Sequence, residues 1–175
     1  KKENYRILDS EKFKNDKFKP AYLDKVKFSN CVKLTSKMYN DIVLKKELNF
    51  KSFEYFNHRY FQHPVYKYDI HTLELDKQKK ALFVTRKISH NASNIIMVVD
   101  FMGSEDCIGN SYFFFQELLK NNKAEYIEFI HYGLNKRLLK NAGFLKLNEK
   151  KLIMPIYFQP FIKENIDIYF FSSKT

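Results

Sequence analysis

Asp100 stands inside an otherwise apolar run, residues 95–102 (IIMVVDFM). A carboxylate in such a setting must be paired, protonated or turned to solvent, because an unpaired buried charge is costly. It is a candidate to accept a proton or hold a substrate. The other reading is a structural one, with a cation such as Arg86 beside it. Residues 125–132 (EYIEFIHY) carry two further titratable groups. Strand alternation puts Tyr126, Glu128, Ile130 and Tyr132 on one face and Ile127, Phe129 and His131 on the other. Glu128 and His131, each a candidate base, therefore share a site only across a bulge. Residues 51–68 (KSFEYFNHRYFQHPVYKY) gather His58, Arg59 and His63 among Tyr55, Phe56, Tyr60, Phe61, Tyr66 and Tyr68. Aromatic faces with polar tips suit a stacked ring ligand, and they equally suit a core with a capped helix end. Cys107 precedes a helix, where a thiolate is favoured, but no histidine motif surrounds it.

Several chemistries lack their signatures. The chain has no Gly-x-Ser-x-Gly elbow, P-loop, Cys-x-x-Cys or His-Glu-x-x-His. Two distant cysteines make neither a disulfide framework nor a metal cluster, so no metal is expected. With 175 residues, 45% of them hydrophobic, and only 4 Gly and 4 Pro, the chain is long and apolar enough for one folded domain. No window approaches the roughly 18 apolar residues of a membrane helix, and no secretion signal is read. A cytoplasmic protein without a membrane span is expected. The net charge is +11, and residues 1–51 hold 14 cations against 7 anions. Only Arg6, Arg59, Arg86 and Arg137 among the 31 cations are arginine, the residue best shaped to read phosphates and bases. The lysines, with 15 Asn and many Phe, Tyr and Ile, read as compositional drift. Nucleic acid binding through the basic N-terminal third is the weaker alternative.

These groups need elements to position them. Residues 1–19 are charged and without period, and the first residue is Lys1. They are expected to be a linker or tail from an upstream domain, with a single domain over 20–175. Residues 25–34 read as a strand, with Val26, Phe28 and Val32 at even spacing. Thr35 or Ser36 caps a helix with Met38, Ile42, Val43 and Leu48 at its apolar positions. Ser52 precedes an aromatic helix that Pro64 ends. The period then falls to two over 66–75 and 80–88, joined by DKQK as a hairpin. Residues 95–102 read as a central strand covered on both faces, followed by a polar loop and a helix over 111–122. A strand over 125–132, a short helix over 134–141 and strands over 152–158 and 166–171 complete the chain. The fold class is α/β or mixed α+β: a central, mixed, mostly antiparallel sheet with helices on both faces.

That order, with NIIMVVDFMG before a loop and helix, EYIEFIHYG before NKRLLKNAGF, and the terminal pair around IMPIYFQPF, resembles the GCN5-related N-acetyltransferase (GNAT) fold. The segment KSFEYFNHRYFQHPVYKY is similar to GNAT-like proteins of bacterial surface-polysaccharide and amino-sugar pathways. The resemblance implies an acyltransferase that uses acetyl-CoA, or another acyl-CoA, and a small-molecule acceptor, in one form a nucleotide-linked amino sugar, with an upstream domain or second copy as a further partner. It implies cofactor contacts from Phe101, Met102, Gly103, Ile108, Gly109, Asn110, Ser111 and Asn135. Catalytic groups would come from Asp100, Glu128, His131 and Tyr132, and acceptor contacts from Arg59, His63, Tyr66 and Tyr68. Two departures stand out. The loop GSEDCIGN has no Arg or Gln lead and carries Glu105 and Asp106, which repel a diphosphate unless they point away. Leu139 stands where many members place a proton-donating Tyr. Both departures favour a second reading, a non-catalytic module of this fold that recognises a partner domain or a carbohydrate.

Overall fold

The computed structural model describes residues 3–8, 26–43, 51–90, 93–131 and 133–146. Tyr132, Leu48 and the strands expected at 152–158 and 166–171 lie outside the described residues. Seven strands form one sheet: β1 (Glu3–Leu8), β2 (Lys27–Asn30), β3 (Asp69–Glu74), β4 (Lys80–His90), β5 (Ser93–Gly103), β6 (Tyr126–His131) and β7 (Leu145–Lys146). Their order is β2-β3-β4-β5-β6-β1-β7. Every neighbouring pair is antiparallel except β5 and β6, which run parallel. The mixed, mostly antiparallel sheet expected from the sequence is therefore present. One expectation is corrected: Glu3–Leu8, read as part of a tail, is a strand within the sheet, paired with β6 on one side and β7 on the other.

The helices are α1 (Ser36–Ile42), α2 (Phe53–Phe56), α3 (Asp106–Gly109), α4 (Tyr112–Asn122) and α5 (Lys136–Asn141). Two begin as their sequences dictate. Thr35 accepts the Met38 amide at 3.2 Å, and Ser52 accepts the Tyr55 amide at 3.2 Å, so each hydroxyl satisfies an otherwise orphaned donor. The β3–β4 turn is held by Asp76, whose Oδ1 accepts the amides of Gln78 and Lys79.

Alternation along β4 splits the core into two layers. Ala81 and Phe83 join Phe114, Phe115, Ile108 and Phe144, under α3, α4 and α5. Leu82 and Val84 join Tyr39, Phe56 and Tyr60, under α1 and α2. Helices thus cover both faces. Two apolar positions expected inside are outside: Val32 falls beyond the end of β2 and is exposed, as is Met38, because Tyr39 is the residue that α1 buries. Among the described residues, no helix is long and apolar enough to cross a membrane.

Candidate functional site

The register between β4 and β5 slips at one place. Val84 stands opposite Asp100 and Thr85 opposite Val98, so Val99 is an extra residue. A bulge of this kind re-aims the side chains that follow it. Ile96 and Val98 enter the α4-side layer, whereas Met102 enters the α1–α2 layer. Asp100 turns with Met102 and meets the helices of that second face. Tyr60 donates its hydroxyl to Asp100 Oδ2 at 2.6 Å, Lys51 donates to the same oxygen, and the Phe101 amide donates to Oδ1 at 3.0 Å. The Asp100 side chain is only 12% exposed, and three donors satisfy its oxygens within an otherwise apolar strand. Its cation is Lys51. Arg86, the partner first considered, lies elsewhere.

Tyr60 reaches Asp100 from a π-helical turn, Asn57–Phe61, that continues α2 directly. Gln62 donates back to the Asn57 carbonyl at 3.0 Å, the five-residue bond of that geometry. Burial, and then the charge of Asp100, push the Tyr60 phenol far above its usual range. It therefore stays protonated and acts as a donor.

The same bulge marks where the sheet opens. β5 and β6 pair from Ile95↔Tyr126 to Val98↔Phe129 and no further. Beyond Val98, β5 keeps β4 as its strand neighbour, while Ile130 and His131 pair with β1. The two parallel strands diverge at their C-terminal ends, and among the described residues the β6-facing edge of residues 100–103 has no strand partner. Phe101 packs on Phe83 with ring centroids 4.8 Å apart. Met102 is buried beneath the Tyr39 hydroxyl. Gly103 has φ +100°, and a Cβ there would lie 2.5 Å from the Lys80 carbonyl oxygen, so the chain leaves β5 through a position only glycine fits.

Residues 104–111 form a tightly bonded turn. The amides of Ser104, Cys107, Ile108 and Ser111 all donate to carbonyls of the chain. Ile108 and Gly109 are buried, with Gly109 against Leu138. Asn110 donates Nδ2 to the Asp106 carbonyl at 3.0 Å. Ser111 sits at the N-cap of α4 yet donates its hydroxyl backwards to the Cys107 carbonyl, so α4 starts without a side-chain cap. The two acidic residues are occupied: Glu105 accepts the Asn135 amide at 3.3 Å, linking this turn to the start of α5, and Asp106 pairs with Lys79 at 2.9 Å. Asn135 itself caps α5 by accepting the Arg137 amide. Burial pushes the Cys107 thiol up to about 11, which removes it as a nucleophile at neutral pH.

On β6, Glu128 is buried on the α1–α2 side of the sheet, beside Met97 of β5 and opposite Arg6 of β1 in register. His131 faces the other way, its ring 5.7 Å from Phe129. The two are thus not brought together, as alternation requires. Leu139 is fully buried in the α4-side core.

The aromatic segment divides. Phe56 and Tyr60 are core, whereas Tyr66 is exposed. His63 stacks on Tyr66 at 5.0 Å, and its Nδ1 accepts the amides of Val65 and Tyr66, closing the turn after the π-helical segment. Tyr68 lies 5.2 Å from Tyr60 and 5.6 Å from His63. The Arg59 guanidinium is 5.9 Å from both the Tyr60 and Tyr68 rings, and Arg86 lies 3.8 Å above Tyr66. Arg86 was not among the residues expected to bind substrate; its place is set by the β3–β4 register, which sequence spacing does not display. Among the described residues, no group of three or more His, Cys, Asp or Glu sits close enough to hold a metal ion.

Comparisons of this chain with family models, with curated proteins and with solved structures return no match.

Proposed function

We propose that this chain is a GNAT-like domain that transfers an acyl group, in the simplest case acetyl from acetyl-CoA, to an amino group of a sugar or similar small molecule. The observation that carries the reading is the divergence of β5 and β6 after Val98 and Phe129, in a sheet whose other neighbours are all antiparallel. A mid-sheet edge with no strand partner among the described residues is a place for an extended amide-bearing chain to add as a strand. A pantetheine arm is such a chain.

Three groups would serve the reaction. Backbone donors at Met102 and Gly103 would polarise the thioester carbonyl, the Phe101 amide of this stretch being taken by Asp100 Oδ1. Asp100, turned by the bulge to the opposite layer from Phe101, would attract and orient the ammonium of the acceptor, with Tyr60 and Lys51 fixing its carboxylate. Glu128, buried on the same face, is a second candidate to take up the proton. The diphosphate fits less well in the 104–111 turn, where the amides of Ser104, Cys107, Ile108 and Ser111 are engaged, than against the uncapped start of α4 one step further on. When bound, the cofactor supplies an activated acyl group, and the chain's own part is to orient the amine and hold the carbonyl.

Melting of the purified chain with acetyl-CoA tests this. A ligand at about 100 times its dissociation constant adds about 2.7 kcal/mol, a rise on the order of 5–10 °C for a domain of this size. ATP serves as the polyphosphate control. No rise beyond that of ATP would overturn the proposal. It would instead favour the non-catalytic module, which the burial of Leu139 and the closed 104–111 turn also support.

A further inference from the structure

A cleft of about 410 Å³ lies between α4 and the β2–β3 margin of the sheet, on the face opposite to the one that Asp100 joins. Its floor is apolar. The Phe28 and Phe114 rings meet there with centroids 5.1 Å apart, and Leu118 continues the floor one turn along α4. Helical spacing puts Glu117 on the same face of α4 as Phe114 and Leu118, and strand alternation puts Asp69 on the same face of β3 as His71. Two carboxylates from different elements thus line one apolar floor. Neither makes an ion pair among the described residues. In a chain with 31 lysines and arginines, no described lysine or arginine lines this cleft.

His71, only 3% exposed, completes the wall. The Thr85 hydroxyl donates to the Asp69 carbonyl at 3.5 Å, so it accepts from His71 Nε2, 3.0 Å away. The imidazole proton is therefore on Nε2. Nδ1 is left as a lone-pair acceptor with no partner among the described residues. Burial keeps the ring neutral by holding it below its ordinary range. Both carboxylates and the free ring nitrogen accept and do not donate, so the occupant must bring donors and positive charge. Asp69, His71 and Glu117 stand too far apart to share a metal ion, which calls for charge spread along a ligand with an apolar stem. We infer that the cleft binds an aliphatic di- or polyamine, its ammonium groups at Asp69 and Glu117 and its methylenes against Phe28, Phe114 and Leu118. This site lies across the sheet from Asp100 and does not rest on the acyltransferase reading. A chain of charge +11 repels polyamines at large, so binding reports a local site.

Calorimetric titration of the whole chain with spermidine, putrescine and butylamine tests the inference. Spermidine and putrescine should bind at least about tenfold more tightly than butylamine, which can satisfy only one carboxylate. Their affinity should fall as salt rises. Glu117→Gln keeps the shape and removes the charge, and should cost about tenfold for spermidine. Glu117→Asp, which keeps the charge, should lose less. Glu117 is exposed, so the melting temperature of both variants should match that of the parent, which separates lost affinity from lost folding. Asp100→Asn should bind spermidine as the parent does. No binding of spermidine, equal affinity for butylamine and putrescine, or full affinity in Glu117→Gln would overturn the inference. So would loss in Asp100→Asn with none in Glu117→Gln, which would move the amine to the other face. Failure of acetyl-CoA to bind would remove the acyltransferase reading and leave this site standing.

Discussion

Tyr60 and Asp100 are joined by a 2.6 Å hydrogen bond between a π-helical turn and the first residue after a strand bulge. Each irregularity aims one partner at the other. The bond ties the α2 layer to the strand edge where β5 and β6 separate, so the shape of the opening and the orientation of the carboxylate are set together.

Tyr60→Phe removes one donor from a nearly buried carboxylate. A hydrogen bond to a charged group contributes about 1.5–3 kcal/mol, so the melting temperature should drop by roughly 3–10 °C. Combined with Asp100→Asn, the two losses should fall short of additive, with a coupling of about 0.5–3 kcal/mol. Urea unfolding of the two single variants and the double variant measures it, and strict additivity would contradict the pairing.

Gly103→Ala places a methyl group 2.5 Å from the Lys80 carbonyl oxygen at a positive φ. Backbone cannot yield as a side-chain tip does, and the cost should be about 3 kcal/mol. Gly109→Ala meets only the flexible end of Leu138, at 2.7 Å, and should cost less. Melting of the two variants side by side gives the ranking, and the reverse order would refute it.

Burial holds the His71 imidazole below its ordinary range, with the Asp69 charge opposing. His71 is bonded through Nε2 to Thr85 at 3.0 Å and lines a cleft with Asp69 and Glu117. The folded state therefore binds fewer protons here than the unfolded chain. This contribution to stability is whole above about pH 6.5 and is lost as the pH falls through the depressed folded value. The slope should be at most about 1.4 kcal/mol per pH unit. Urea unfolding between pH 7.5 and 5 should show it, and His71→Gln should flatten it.

Cys107 is fully buried, its thiol donating to the Lys79 carbonyl, whereas Cys31 is half-buried. Iodoacetamide at neutral pH should label Cys31 first and reach Cys107 only as fast as the chain opens. Mass spectrometry of timed samples checks the order, and equal rates would contradict it.

Local signals in the sequence account for much of this arrangement. Thr35 and Ser52 are caps, the β3–β4 hairpin follows from alternation and Asp76, and Asp100 stands out because its neighbours are apolar. The bulge at Val99 does not announce itself, because it exists only as a register difference between two strands. That bulge turns Asp100 toward Lys51 and Tyr60, while Arg86 lies over the Tyr66 ring. Strand β1 was hidden for a related reason: its charged residues have no period of their own, and its place depends wholly on β6 and β7.

That placement has a consequence for how the molecule assembles. Glu3 must find His131, and Leu8 must find Tyr126, across nearly the whole described chain. Ribosomal synthesis releases the first strand early and then obliges it to wait, unpaired, until β6 has emerged. Closure of this part of the sheet is a late, slow search, since loop entropy is lost before distant contacts form. Removing Glu3–Leu8 would strip β6 of its antiparallel neighbour, leaving its pairing with β5, and would turn its other side into a sticky border, inviting aggregation.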